Sequence, residues 1–206
     1  MKIEDEVQGV SLLLQTNEEV FSPGAIDRGT KAMLSFVNFT KGDKVLDLGC
    51  GCGIVGIYAA RQIGAEQVWM CDISENAISL SRKNAADNGV EQVTIVQSDG
   101  LRDITESGFT WILSNPPYHT DFSVAKEFIE DGFKKLAVGG QMVMVTKRLD
   151  WYKNKLTSVF GGVRVKEQDG YYVFLAEKRA KRKPKKEKKN PQGMSKKLQR
   201  KYGKVR

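Results

Sequence analysis

The sequence predicts a doubly wound α/β domain built on a mostly parallel sheet. Three observations predict it. Short apolar runs alternate with helical patterns from residue 44 onward, a glycine-rich loop follows the first strong strand, and Asp169-Gly170 marks a terminal hairpin. Residues 1–20 mix acids with Val10-Ser11-Leu12-Leu13-Leu14, which reads as one short strand against the body. Phe21-Ser22-Pro23-Gly24 is turn-like, and apolar Ile26, Met33, Leu34 and Val37 give helical spacing over 26–37. Residues 44–48 form a buried strand, and 54–63 a helix stopped by Gly64. A second strand covers 67–71; Ser74 caps a helix reaching about 88, where Gly89 stops it. Strands follow at 93–97 and 110–113. A helix over 122–137 is ended by Gly139-Gly140, then come a strand at 141–145 and a helix at 151–159. Runs 163–168 and 171–176 form an antiparallel C-terminal hairpin, which makes seven strands. The expected architecture is therefore a Rossmann-like, seven-stranded sheet with helices on both faces.

The 206 residues suit one domain with an extension. No apolar run approaches the roughly 20 residues that a bilayer demands. The start, Met1-Lys2-Ile3-Glu4-Asp5-Glu6, is polar and unlike a secretory signal, so cytoplasmic residence is the expectation. Three cysteines, Cys50, Cys52 and Cys71, agree with a reducing compartment. Cys50 and Cys52 form C-x-C, but a single His and the lack of a further ligand group nearby favour small residues filling a tight turn over metal. Charge is uneven. Residues 178–206 hold 15 Lys or Arg and one acid, a net of +14; the whole chain is +8, so residues 1–177 carry −6. This divides the chain into a folded unit, 1–178, and a basic tail, 179–206.

Open parallel sheets hold ligands beyond the carboxyl ends of their strands. The unusual clusters of the body fall there. Asp47-Leu48-Gly49-Cys50-Gly51-Cys52-Gly53 can turn sharply and approach a ligand closely. Gly51, Gly53 and Gly56 also satisfy G-x-G-x-x-G, with Asp72 at a suitable distance, so a dinucleotide must be weighed. Asp47 argues against it: a carboxylate would repel a pyrophosphate but suits the ammonium and sulfonium of S-adenosyl-L-methionine. Asp72 can accept both ribose hydroxyls, and Asp99 can accept from the adenine amine, with Ser98 and Gly100 shaping that turn. For each acid the plainer alternative is a helix cap or a turn.

Ser114-Asn115-Pro116-Pro117-Tyr118 follows the fourth strand. Two prolines stiffen the backbone and remove two donors. Asn115 Oδ1 and the Pro116 carbonyl can then grip the two hydrogens of an exocyclic amine and localise its lone pair for attack on a methyl group. Tyr118 offers a face on which a base can stack. His119 is more readily a pocket wall than a proton acceptor. The alternative for the whole segment is a rigid turn.

At these residues the chain resembles the bacterial methyltransferase small domain, and in particular the catalytic half of ribosomal RNA guanine-N2 methyltransferases. The matching pieces are Phe21-Ser22 with Ile26-Asp27-Arg28-Gly29-Thr30, the run Val45 through Gly53, Cys71-Asp72, Asn84, Asn88-Gly89, Ser114 through His119, Gly139-Gly140 and Gly170-Tyr171-Tyr172-Val173. The His after N-P-P-aromatic resembles guanine-N2 enzymes more than tRNA adenine-N6 or protein-glutamine enzymes. The resemblance spans residues 21–178 and implies that Phe21, Asp27, Gly29 and Thr30 help close the cofactor site. It also implies methyl transfer to an RNA base, with guanine N2 of ribosomal RNA ahead of adenine N6 of tRNA, protein glutamine, or a non-catalytic ribosome-assembly role. This chain departs from the long family members in having about 20 residues before the shared region, and in placing Lys147 and Arg148 where a small or amide residue is expected after the fifth strand. The tail, with Lys181-Arg182-Lys183-Pro184-Lys185-Lys186 and Lys196-Lys197, is too polar to fold alone and suits RNA phosphates, or else solubility. Oligomeric state is not legible.

Overall fold

The computed structural model describes residues 2–16, 25–116 and 122–180. The chain opens with a hairpin, β1 (Lys2–Val7) and β2 (Val10–Gln15), followed by α1 (Arg28–Leu34). The alternating body comprises β3 (Val45–Leu48), α2 (Ile54–Ile63), β4 (Val68–Asp72), α3 (Glu75–Asp87), β5 (Thr94–Gln97), β6 (Phe109–Ser114), α4 (Ser123–Lys135), β7 (Leu136–Thr146), α5 (Asp150–Phe160), β8 (Arg164–Gln168) and β9 (Tyr171–Glu177). The seven-stranded sheet has the order β5-β4-β3-β6-β7-β9-β8, in which β9 alone runs against its neighbours. This is the fold class that the alternation predicts. The β8–β9 turn puts Asp169 and Gly170 at φ of 53° and 77°, the left-handed pair that a tight hairpin needs.

Period-two alternation sorts the core onto two faces. Val45, Leu113, Val143, Val145, Val173 and Leu175 pack with Ile57, Tyr58, Met33 and Leu34 of α2 and α1. Their neighbours Leu46, Leu48, Ile112, Met142, Met144 and Phe174 pack with Ala125, Ile129, Tyr152 and Leu156 of α4 and α5. Asp47 shares the parity of Val45 and therefore points to the α2 side. Among the described residues no helix is long and apolar enough to cross a membrane.

Three expectations need correction. The amino-terminal segment is a hairpin rather than one strand, because Gln8 and Gly9 turn the chain at φ of 48° and 80°. Leu12 and Leu14 are fully buried, each worth about 1.5–3 kcal/mol of burial. The edge of β2 is paired by side chains instead of a strand: Asn88 exchanges two hydrogen bonds with Leu13 (3.0 and 2.7 Å) and Asn84 two with Gln15 (2.7 and 3.0 Å). The first helix is shorter than 26–37, because its last turn tightens to three-residue bonds from Phe36 N to Met33 O and Val37 N to Leu34 O. The fourth helix stops at Lys135 and passes directly into β7, so Gly139-Gly140 does not end a helix. Phe109 pairs with Leu136 but Trp111 with Gln141, so the glycine pair sits in a bulge where β7 carries extra residues.

Candidate active site

Register places the site. Asp47 pairs with Leu113, and Leu48 with Cys71. Two residues past the first pair, and one past the second, Gly49 stands in a row with Asn115 and Asp72 across three adjacent strands. Strands lie about 4.8 Å apart, so these groups face one ligand-sized space at the carboxyl edge.

The glycine loop is pinned from three directions. Gly49, Gly51 and Gly53 all take positive φ (74°, 55° and 87°), which side chains rarely tolerate. Gly49 N and Cys50 N both donate to Cys71 O at 2.9 Å, and Asp72 Oδ2 accepts from Gly51 N at 2.9 Å. From α3, Ser81 Oγ donates to Gly51 O (2.7 Å) and Asn84 Nδ2 to Cys52 O (2.9 Å). Ser81 and Asn84 are fully buried one turn apart, so a single helix face holds both carbonyls. Gly56, in the first turn of α2, lies against the strand floor: a β-carbon there would collide with Met70 Sδ.

Asp47 is buried and accepts from Gly56 N at 2.9 Å. Burial pushes its carboxyl up to about 7, with Asp72 adding to the rise and the Gly56 bond opposing it. A cation brought beside it would restore the charged form. Asp72 spends one acceptor site per oxygen, on Gly51 N and on Ser74 N (3.0 Å). A carboxylate has roughly four, so capacity remains for two hydroxyl donors. Burial pushes the Cys52 thiol up to about 11 and the Cys71 thiol to about 12. Both are packing groups at neutral pH.

Asn115 is fixed by a network that sequence patterning could not reveal. Its Nδ2 donates to Asp27 Oδ2 (2.9 Å) and to Thr30 Oγ1 (3.0 Å). A carboxylate only accepts, so the amide nitrogen must face Asp27 and Oδ1 must face away from it. Asp27 also caps α1 through Thr30 N (3.0 Å) and accepts from Tyr171 Oη (3.3 Å). Asp27 thus caps α1 and holds Asn115 with the same carboxylate. Pro116 is buried immediately after Asn115. Tyr118, His119 and Phe21 lie outside the described residues.

Asp99 is exposed at the end of β5 and pairs with Arg102 at 2.6 Å. It belongs to the same edge but is not tied to the glycine loop. Phe128 of α4, which patterning did not single out, faces that loop and the Asp99 turn together. Its ring lies 3.5 Å and 3.6 Å from where β-carbons on Gly49 and Gly100 would sit. The paired glycines were the available signal.

A parallel sheet with this order, a glycine loop bracketed by two acids, and a fixed Asn at the end of β6 define a Rossmann-like methyltransferase fold. The chain belongs to the methyltransferase small domain family, whose model matches residues 11–176. It is 33% identical over 162 residues to the ribosomal RNA small subunit methyltransferase C of Pseudomonas putida, covering 76% of this chain and 48% of that protein. The namesake from Cronobacter sakazakii is 34% identical over 172 residues, covering 81% and 49%. Among solved structures, the T. thermophilus 16S rRNA N2 G1207 methyltransferase, in complex with AdoMet and guanosine, superposes with a TM-score of 0.81 at 25% identity, over 87% of this chain and 50% of that one. The chain thus spans about half the length of the curated relatives it matches.

Proposed function

We propose that this protein transfers a methyl group from S-adenosyl-L-methionine to the exocyclic N2 amine of a guanine in ribosomal RNA, a substrate that places it in the cytoplasm. One observation carries the reading: Asn115 has its donor end consumed by Asp27 and Thr30, so it presents an acceptor to the edge where the acid-bracketed glycine loop ends. The similar proteins named for ribosomal RNA methylation, and the solved relative holding AdoMet and guanosine, support the choice of cofactor and base.

The bound cofactor supplies an electrophilic methyl group on a sulfonium. The chain's residues do the rest. Asp47 faces the cofactor's ammonium through the loop, Asp72 holds the ribose hydroxyls, and Asp99 with Phe128 lines the adenine end. Asn115 Oδ1 and the Pro116 carbonyl accept the two hydrogens of the target amine and draw its lone pair out of conjugation. Tyr118 supplies the face for the base. That grip is strongest when the nitrogen becomes tetrahedral, so it lowers the barrier more than it tightens substrate binding.

Mass spectrometry of nucleosides from ribosomal and transfer RNA, with and without the gene, tests this. Loss of N2-methylguanosine from ribosomal RNA is the expected result. Loss of N6-methyladenosine from tRNA would replace the substrate, and an unchanged set together with no cofactor binding would overturn the reading.

The basic segment 179–206 serves as an RNA anchor in this proposal. Deleting it should leave cofactor binding intact while lowering RNA affinity and flattening its salt dependence, by about 0.7–0.9 in log–log slope for each phosphate no longer neutralised. Equal slopes with and without the segment would favour a solubilising role.

A further inference from the structure

The residues after β7 form a second constellation at the same edge. Ser114 pairs with Met144, so Pro116 stands level with Thr146, and the chain continues with two cations. Lys147 Nζ lies 5.0 Å from the centre of the Tyr171 ring, whose hydroxyl reaches Asp27. The Arg148 guanidinium lies 4.9 Å from the Phe122 ring, and Phe122 stacks on Trp151 with ring centres 4.3 Å apart and 11° between planes. Arg148 N donates to Thr146 Oγ1 at 3.3 Å, which holds the turn that separates the two side chains. Phe122 immediately precedes α4. The two cations therefore leave this edge toward opposite faces of the sheet, Lys147 over Tyr171 and Arg148 over Phe122.

The placement stands out electrostatically. The other charged groups that the site uses are acids: Asp27, Asp47, Asp72 and Asp99. Residues 1–177 carry −6 overall. An RNA strand approaching this edge meets repulsion unless cations stand where its phosphates pass. Stacking engages the face of a guanidinium, while its N–H donors lie in the plane and can fork onto a phosphate. An aromatic bed also limits the rotamers that a long cationic side chain must give up on binding.

We propose that Lys147 and Arg148 are a phosphate clamp that holds the RNA backbone on either side of the nucleotide whose base is presented to Asn115. This rests on the methyltransferase reading for the identity of that base. It assigns the grip on the target nucleotide to the body, whereas the basic tail acts elsewhere. Two phosphates so held are worth about 1.4–1.8 in log–log salt slope.

The test uses the full chain, an unmodified 16S rRNA transcript as probe, and the double variant Lys147→Gln/Arg148→Gln beside wild type. RNA affinity across salt concentrations is the first readout. The variant should bind about tenfold more weakly near 0.1 M salt, with a slope shallower by about 1.4–1.8. In steady state the KM for RNA should rise more than kcat falls, and S-adenosylhomocysteine binding should match wild type. Arg148→Lys keeps the charge, so it should retain the slope and thereby separate the loss of phosphate binding from the loss of packing on Phe122. Slopes and KM equal to wild type in the double variant would overturn the clamp, as would a loss of slope in Arg148→Lys as large as in the double variant. If wild type methylates no RNA, the functional reading fails, yet the slope comparison still decides the clamp.

Discussion

Asn115→Ala should lower the single-turnover methylation rate about 100-fold or more, the usual cost of removing one hydrogen-bond partner used chiefly in the transition state. Cofactor affinity should move by less than about tenfold. The reason lies in how the amide is held. Nδ2 is spent on Asp27 and Thr30 at 2.9 and 3.0 Å, so Oδ1 arrives pre-aimed with no reorganisation left to perform. The same logic makes Asp27→Asn informative. An amide at position 27 can present a donor to Asn115 and allow it to turn over, so part of the rate should be lost although Asn115 is still present. Single-turnover assays with saturating cofactor and RNA measure both. A wild-type rate in Asn115→Ala would remove the proposed role of the loop.

Cofactor affinity should depend steeply on pH through Asp47. With its carboxyl near 7 because of burial, and with Asp72 adding to the rise, it is largely protonated at pH 6 and charged at pH 8. An ammonium bound beside it favours the charged form, so binding must expel the proton where one is present. The dissociation constant for S-adenosylhomocysteine should be flat above about pH 8 and should rise below about pH 7 toward tenfold per unit. Titration calorimetry in buffers of differing ionisation heat should show a proton released on binding at pH 6. Asp47→Asn should weaken binding at pH 8 and abolish the slope. A dissociation constant unchanged from pH 8 to pH 5.5 in wild type would place the ammonium elsewhere. The ligand-free fold carries the opposite dependence: between about 4 and 7 the native state keeps a proton that the unfolded chain releases, so this group costs stability as pH rises through that window.

What the sequence disclosed follows from the range over which its signals act. Strands such as β3 and β6 were legible because apolar residues and glycine stops are local, and their alternation also sorted the two core faces. The first strand was hidden by its own charges. In Lys2–Val7 the inward positions are Ile3, Asp5 and Val7, and Asp5 is satisfied there by Lys31 at 2.8 Å together with Ile26 N at 3.1 Å. Lys31 lies 26 residues away. The end of α4 was misplaced because Leu136-Ala137-Val138 suits helix and strand alike, and the pairing of Leu136 with Phe109 of β6 decides between them. The acids and glycines of the site were readable from chemistry and spacing. Their holders were not. Ser81, Asn84, Thr30 and Tyr171 act across separations of 30 to 144 residues. The Asp99–Arg102 pair was the exception, since a three-residue spacing made it visible in principle.

The direction of β9 divides labour in space. Tyr171 begins that strand beside Asp27, and Glu177 ends it opposite Gln141, after which Lys178 N donates to Gly140 O at 2.9 Å. The basic segment therefore departs from the far rim of the sheet, about 20 Å from the pocket at roughly 3.4 Å per residue of strand. On the proposed reading, a basic segment rooted there would raise the local concentration of RNA around the body and take no part in the chemical step. Its removal should be made good by supplying more RNA, whereas a lost Asn115 cannot be rescued at any concentration.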